Sequence, residues 1–174
     1  MQVLSAVSYY DFILHIVMIE EMGCMAKTSG YNNAEDWVRE TALKGRFGQP
    51  FYKKRIVIGQ KSDGTDADHE FDAVSSDGNI ITSIKAHSGK TSGNKNPVGK
   101  ITSAFTEVLF LSMVQEGEKR YLILTDPAFY KIFQRKADGK LPKNVGLMHI
   151  PLPVEIQERV DNDKQTAITE MSKI

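Results

Sequence analysis

The chain has 174 residues, of which 41% are hydrophobic and 25% charged, and its 22 basic and 22 acidic side chains cancel. That length supports one domain with its own core, and the zero balance excludes a global field drawing the chain to polyanions, so any nucleic-acid contact must come from local clustering of charge. Cys24 is the single cysteine, which excludes an internal disulfide and a zinc site built from several cysteines, and it fits a reducing, cytoplasmic setting.

Residues 8–25 place Phe12, Ile16 and Ile19 at helical spacing. The apolar run from Tyr9 to Ile19 is broken by Asp11 and His15 and closed by Glu20 and Glu21. It is too short and too polar to cross a bilayer, and it lacks the basic start and cleavage site of a signal peptide. No membrane partner is expected.

The stretch Lys27-Thr-Ser-Gly-Tyr-Asn-Asn33 reads as a loop, with Asn33 capping a helix from Ala34 to about Leu43 that Gly45 ends. Phe51 to Ile58 is aromatic, basic and β-branched, which predicts a strand, and residues 60–69 read as a polar loop or hairpin end. Glu70 to His87 then predicts a β-hairpin: Phe71 and Val74 flank Asp72, Asp77-Gly78 makes the turn, and Ile80, Ile81 and Ile84 carry the return strand.

Residues 88–99 form a Gly/Ser/Lys/Asn loop. A helix from about Lys100 to Gln115 follows, with Ile101, Phe105, Val108, Leu109 and Leu111 on its buried side. Tyr121–Thr125 suits a central strand, Asp126 caps a helix with Pro127 at its first position, and Gly146–Ile150 is a last short strand before Pro151 and Pro153. The tail from residue 161 to 174 is polar and expected to be loosely held. The order predicts a single α/β domain over residues 1–174, with a core at about 34–150 and a central mixed sheet flanked by helices.

Asp72 and Lys85 fall on the two arms of the predicted hairpin, about equally far from its turn, so they can face one another across the strand pair. A carboxylate beside a lysine at strand ends suits metal-assisted phosphodiester hydrolysis. The carboxylate offers hard oxygen ligation, and the lysine orients water or offsets charge on the phosphate. The same two residues would also make an ordinary cross-strand ion pair. Between Gly78 and Thr106 no acidic residue occurs, while Lys85, Lys90, Lys95 and Lys100 are basic; this loop suits a phosphate backbone, or is simply a solvated insertion. Lys53, Lys54 and Arg55 can extend the basic surface. Gly89-Lys90-Thr91 and Gly99-Lys100 lack the spacing of a P-loop, which excludes an ATPase of that kind.

The run from Ala34 to Gly59, then His69–Val74, a turn and Ile80–Ala86, resembles the PD-(D/E)xK nuclease superfamily over about residues 34–125. The resemblance implies a restriction endonuclease-like fold and a Mg²⁺-dependent deoxyribonuclease, with Mn²⁺ as a substitute, acting on DNA. It assigns Glu35 to the acid of the first helix (Glu40 is the second candidate), Asp72 to the metal-binding aspartate and Lys85 to the catalytic lysine. A departure stands two before the lysine, where Ser83 replaces the expected acid. In some restriction enzymes of the superfamily that acid has moved to the following helix, and Glu107 is then its counterpart. The resemblance thus implies Asp72, Glu107 and Glu35 as metal ligands, Asp72, Lys85, Glu35, Glu107 and Ser83 at the catalytic site, and Lys90, Lys95 and Lys100 against nucleic acid. The alternative is a nuclease-like domain that binds nucleic acid without cutting it. Nucleases of this kind often dimerise, so a second copy of the chain is a candidate partner. Glu70 and His69 lie beside the site, His69 more simply as a loop histidine.

Overall fold

The computed structural model describes residues 29–86 and 97–171, which form one α/β domain. The expected helix over residues 8–25, and Lys90 and Lys95 of the basic loop, lie outside the described residues. The first described element is one continuous helical rod in three parts: α1 (Ser29–Trp37), a π-helical stretch (Val38–Leu43) and α2 (Lys44–Phe47). Asn33, expected as its cap, sits inside α1, and Gly45, expected to end it, sits inside α2. Gly48 ends it instead, at φ +70 with its N–H donating to the Lys44 carbonyl at 2.9 Å. A glycine takes this left-handed geometry without a Cβ clash.

Five strands follow in the spatial order of the chain: β1 (Phe51–Gln60), β2 (Asp66–Ser75), β3 (Ile80–Lys85), β4 (Lys119–Leu124) and β5 (Val145–His149). β1–β2 and β2–β3 are antiparallel, β3–β4 and β4–β5 parallel, so the sheet is mixed. The parallel steps need crossovers, and α3 (Val98–Met113) and α4 (Pro127–Ala137) lie in the chain between those strands. Asp126 Oδ1 accepts the Phe129 N–H at 2.6 Å and Pro127 opens α4, as the local sequence predicts.

The two faces of the sheet carry separate cores. One, under α3 and α4, gathers Phe71, Val74, Ile81, Val108, Phe110, Leu111, Leu122, Leu124, Phe129 and Phe133. The other, under the first helical rod, gathers Val38, Leu43, Phe51, Ala73, Ile80, Ile84, Ile123 and Met148. Each fully buried large side chain contributes about 1.5–3 kcal/mol. Of the tail expected to be loosely held, residues 161–171 continue a helix, α5 (Val154–Met171), whose buried Val160 packs with Ala34 and Ala86, and residues 172–174 lie outside the described residues. Gly30 N–H donates to Asp163 Oδ2 at 2.6 Å, tying α5 to α1.

Strand β2 is irregular in two ways around Asp72. Tyr52 pairs with Val74 but Lys54 pairs with Phe71, so Lys53 alone faces both Asp72 and Ala73: β2 carries a β-bulge there. This is why Phe71 and Val74, three residues apart, share a core while Ala73 belongs to the opposite one. The strand also pairs with β3 only at Ala73–Thr82 and Val74–Ile81. Beyond Ala73 the two strands part.

Candidate functional site

Asp72 stands at the point where β2 and β3 separate. Its Oδ2 accepts the main-chain N–H of Ile84 at 2.7 Å, and its own carbonyl accepts from Arg39 Nη1 at 3.2 Å. The expected face-to-face pairing of Asp72 with Lys85 does not form: Ala73 pairs with Thr82 and Val74 with Ile81, a register that would set Asp72 against Ser83 and Lys85 against Glu70, and the ladder ends at Ala73. Lys85 turns to the α3 side of the sheet, where its Nζ donates to Glu107 Oε1 at 2.6 Å. Alternation along β3 explains this: Ile81 joins the core beneath α3, and Lys85, four residues on, projects to the same face.

Glu107 is only 7% exposed. Its second oxygen lies 3.3 Å from His69 Nε2, so the carboxylate is clamped between an ammonium and an imidazole. Burial alone would raise its pKa, but the bonds and charges of His69 and Lys85 outweigh that and hold it down at about 2. His69, read from sequence as a loop residue, is on β2 in the structure, its ring edge-on to Phe71 at 4.9 Å and tilted against Phe110 at 4.2 Å.

Glu35, on α1, approaches from the opposite face. Burial and the neighbouring Asp72 carboxylate push its pKa up to about 7, with Lys53 and Lys85 pulling the other way. Asp72 is raised as well, first by burial and also by Glu107, against the Ile84 N–H, Lys85 and Lys53. Four of the expected residues are therefore linked electrostatically: Asp72 and Lys85 each act on Glu35, and Asp72, Lys85 and Glu107 act on one another. Comparison with known protein families, curated proteins and solved structures finds no match.

The other expected residues are placed differently. Ser83 lies on β3 with 0% exposure, and among the described residues its Oγ has no hydrogen-bond partner. It is sealed beneath the site rather than presented to a ligand. Lys100 is in the first turn of α3, where burial and Lys164 lower its pKa and Asp126 raises it; it stands two helical turns from Glu107. Glu40 is exposed and Glu70 is turned toward Arg55 at 3.9 Å, so neither joins the acids. No helix among the described residues is long and apolar enough to cross a membrane.

Sequence reasoning passed over Arg39 and misplaced His69. Arg39 was signalled by its spacing of four from Glu35, which puts both near one face of a helix. Nothing local in the sequence brings His69 to Glu107.

As a cation site the donor set is of the hard-oxygen type that Mg²⁺ takes. Glu35 and Asp72 are both desolvated and the Asp72 carboxylate raises Glu35, a surplus of negative charge that a divalent cation would relieve. Among the described residues Asp72 Oδ1 and the Glu35 carboxylate have no hydrogen-bond partner. Against this, no group of three or more His, Cys, Asp or Glu among the described residues stands ready to hold an ion, because Glu107 is committed to Lys85 and His69. Glu35 and Asp72 fit a cation as a pair, and Glu107 would join them only by loosening its clamp.

Proposed function

We propose that the chain is a nuclease domain of the restriction endonuclease-like kind, which hydrolyses phosphodiester bonds in DNA with Mg²⁺ or Mn²⁺. The observation that carries the reading is the contact of Glu107 with Lys85 across the sheet and helix, beside Asp72 at the split of β2 and β3. Ser83 leaves the third strand without its acid, and a helix-borne carboxylate stands next to the lysine instead. The element order of a helix, three antiparallel strands, a crossover helix and a parallel fourth strand also supports it.

Glu35 and Asp72 would hold the cation, with Glu107 as the third ligand. When bound, such an ion polarises a phosphoryl oxygen and makes water a competent nucleophile near neutral pH. The Lys85 ammonium offsets charge developing on the phosphate. Glu35, with its pKa near 7, is poised to give or take a proton at an oxygen of the phosphate or of the attacking water. His69 keeps Glu107 oriented. An open groove of about 750 Å³, lined by Arg39, Glu40, Thr41, Lys44, Tyr52 and Lys53 among others, leads away from Lys53 and offers positive charge to a phosphate backbone.

A second reading, DNA binding without cleavage, is favoured by the clamp on Glu107 and the lack of a ready three-acid group. Cleavage of plasmid and single-stranded DNA with Mg²⁺ or Mn²⁺ separates the two. The nuclease reading expects activity abolished by chelator and reduced roughly 100-fold or more in Asp72→Asn, Lys85→Met and Glu107→Gln. Salt-sensitive DNA binding that ignores chelator, with no cleavage by any protein, would overturn it in favour of the binding module.

A further inference from the structure

The bulge that presents Asp72 leaves its main-chain carbonyl in need of a partner outside a regular ladder, and Arg39 supplies one. Its Nη1 donates to that carbonyl at 3.2 Å, while Nη2 bonds Asp36 and lies 3.5 Å from Glu40 Oε1. Arg39 is 8% exposed, buried between the helical rod and the sheet. Arg39 belongs to the π-helical stretch Val38–Leu43. A π-turn is wider than an α-turn and displaces side chains from the regular face, a feature common beside functional sites. The same bulged residue is held from the opposite side by the Ile84 N–H.

We propose that Arg39 is a positioning residue for Asp72: it fixes the bulge so that the carboxylate lies against the Ile84 N–H and beside Glu35. Its action runs through main-chain geometry, since the charges that weigh on Asp72 are those of Lys85, Glu107 and Lys53. The role of Asp72 as a cation ligand rests on the proposed function; its placement by Arg39 does not.

The test is amide hydrogen exchange on the full chain without added metal, comparing Ile84 with Ile123 of the neighbouring strand β4. In Arg39→Met the Ile84 amide should exchange roughly tenfold faster or more, as the Asp72 carboxylate loses its fixed position, while Ile123 is unchanged. Arg39→Lys, which keeps one donor, should show the same pattern more weakly. An unchanged Ile84 in both variants would overturn the proposal. So would equal acceleration of Ile84 and Ile123, which would make Arg39 a general stabiliser of the fold. If Arg39→Met does not fold, the same comparison in Arg39→Lys decides. Calorimetric binding of Mn²⁺ reads the metal separately: affinity should fall about tenfold in Arg39→Met. Absence of Mn²⁺ binding by the unaltered protein counts against the metal-dependent reading alone, and the exchange comparison still decides on Arg39.

Discussion

The Ile84 N–H donates to the Asp72 carboxylate at 2.7 Å, on the side of β3 where a continued ladder would offer a main-chain carbonyl. A side chain thus closes the sheet at the position where its backbone pairing stops. The same bond ties the orientation of the carboxylate to the strand that carries Lys85.

Removal of that acceptor should be felt in stability as well as in any activity. Asp72→Ala leaves the Ile84 N–H without its partner, a loss of about 1–3 kcal/mol, partly offset by relief of repulsion with Glu35. Asp72→Asn keeps an acceptor oxygen and should cost less. Urea denaturation of the three proteins at pH 7 checks the order; an Asn variant less stable than the Ala variant would refute the role of the bond.

Glu35 gives a pH signature. Its pKa rises from 4.5 to about 7 in the folded chain, so the native state binds its proton more tightly than the unfolded state does. Its contribution is therefore most favourable below pH 4.5 and is lost as pH rises through 7. By the shift alone this loss is about 3 kcal/mol at most, and nearer 1–2 kcal/mol after solvent screening. In metal-free protein Glu35→Gln should match the unaltered chain at pH 4 and be more stable at pH 8, as read by thermal melting. Equal offsets at both pH values would contradict it.

The Lys85–Glu107 pair is buried enough for its halves to depend on each other. Lys85→Met should destabilise by about 3 kcal/mol because Glu107 keeps its buried charge and loses its ammonium partner. Lys85→Met combined with Glu107→Leu should recover much of that loss, a coupling that a double-mutant cycle measures directly. The pKa of Glu107 is lowered to about 2 from 4.5, so its stabilisation is fully present above pH 4.5 and disappears as pH falls toward 2. The stability gap between Glu107→Gln and the unaltered chain should close over that range. A gap that stays constant would mean the clamp contributes nothing through charge.

Ser83 should be dispensable as a chemical group. With 0% exposure and no partner for its hydroxyl among the described residues, Ser83→Ala should change stability by less than about 1 kcal/mol and, under the proposed nuclease function, leave DNA cleavage intact. Ser83→Asp, in contrast, buries a charge and should destabilise by several kcal/mol (roughly 3 or more). Loss of cleavage in a folded Ser83→Ala would return this residue to the reacting groups.

Features set by neighbours in sequence were legible without coordinates. Asp126 with Pro127, and the turn at Asp77-Gly78, act within a few residues, and both appear where their chemistry puts them. The helical state of Ser29–Asn33, ahead of the expected Ala34, was not legible, because Gly30 is held by its bond to Asp163, a residue 133 positions away. The extent of α5 was hidden for a related reason: Val160 is its clearest buried residue, too little apolar periodicity to mark a helix. In the candidate site, Glu35, Asp72, Lys85 and Glu107 could be named from spacing and resemblance. The bulge at Asp72–Ala73 could not, since it depends on how β2 registers against Lys53 of another strand. The register of β2 on β3, with Ala73 opposite Thr82, was equally hidden; it excludes an Asp72–Lys85 cross-strand pair, and where its ladder ends the Ile84 N–H bonds Asp72 and Lys85 bonds Glu107.

The two-pair junction of β2 with β3 also divides the sheet mechanically. On one side is a long antiparallel arm, β1 with β2; on the other is the parallel platform β3–β4–β5. A load applied across the sheet would concentrate on this seam, because few hydrogen bonds share it there while the arm and the platform each have long ladders. The arm would peel away as a unit before either ladder unzipped, and the jaw that opened would hinge at the Asp77-Gly78 turn with Asp72 on its lip.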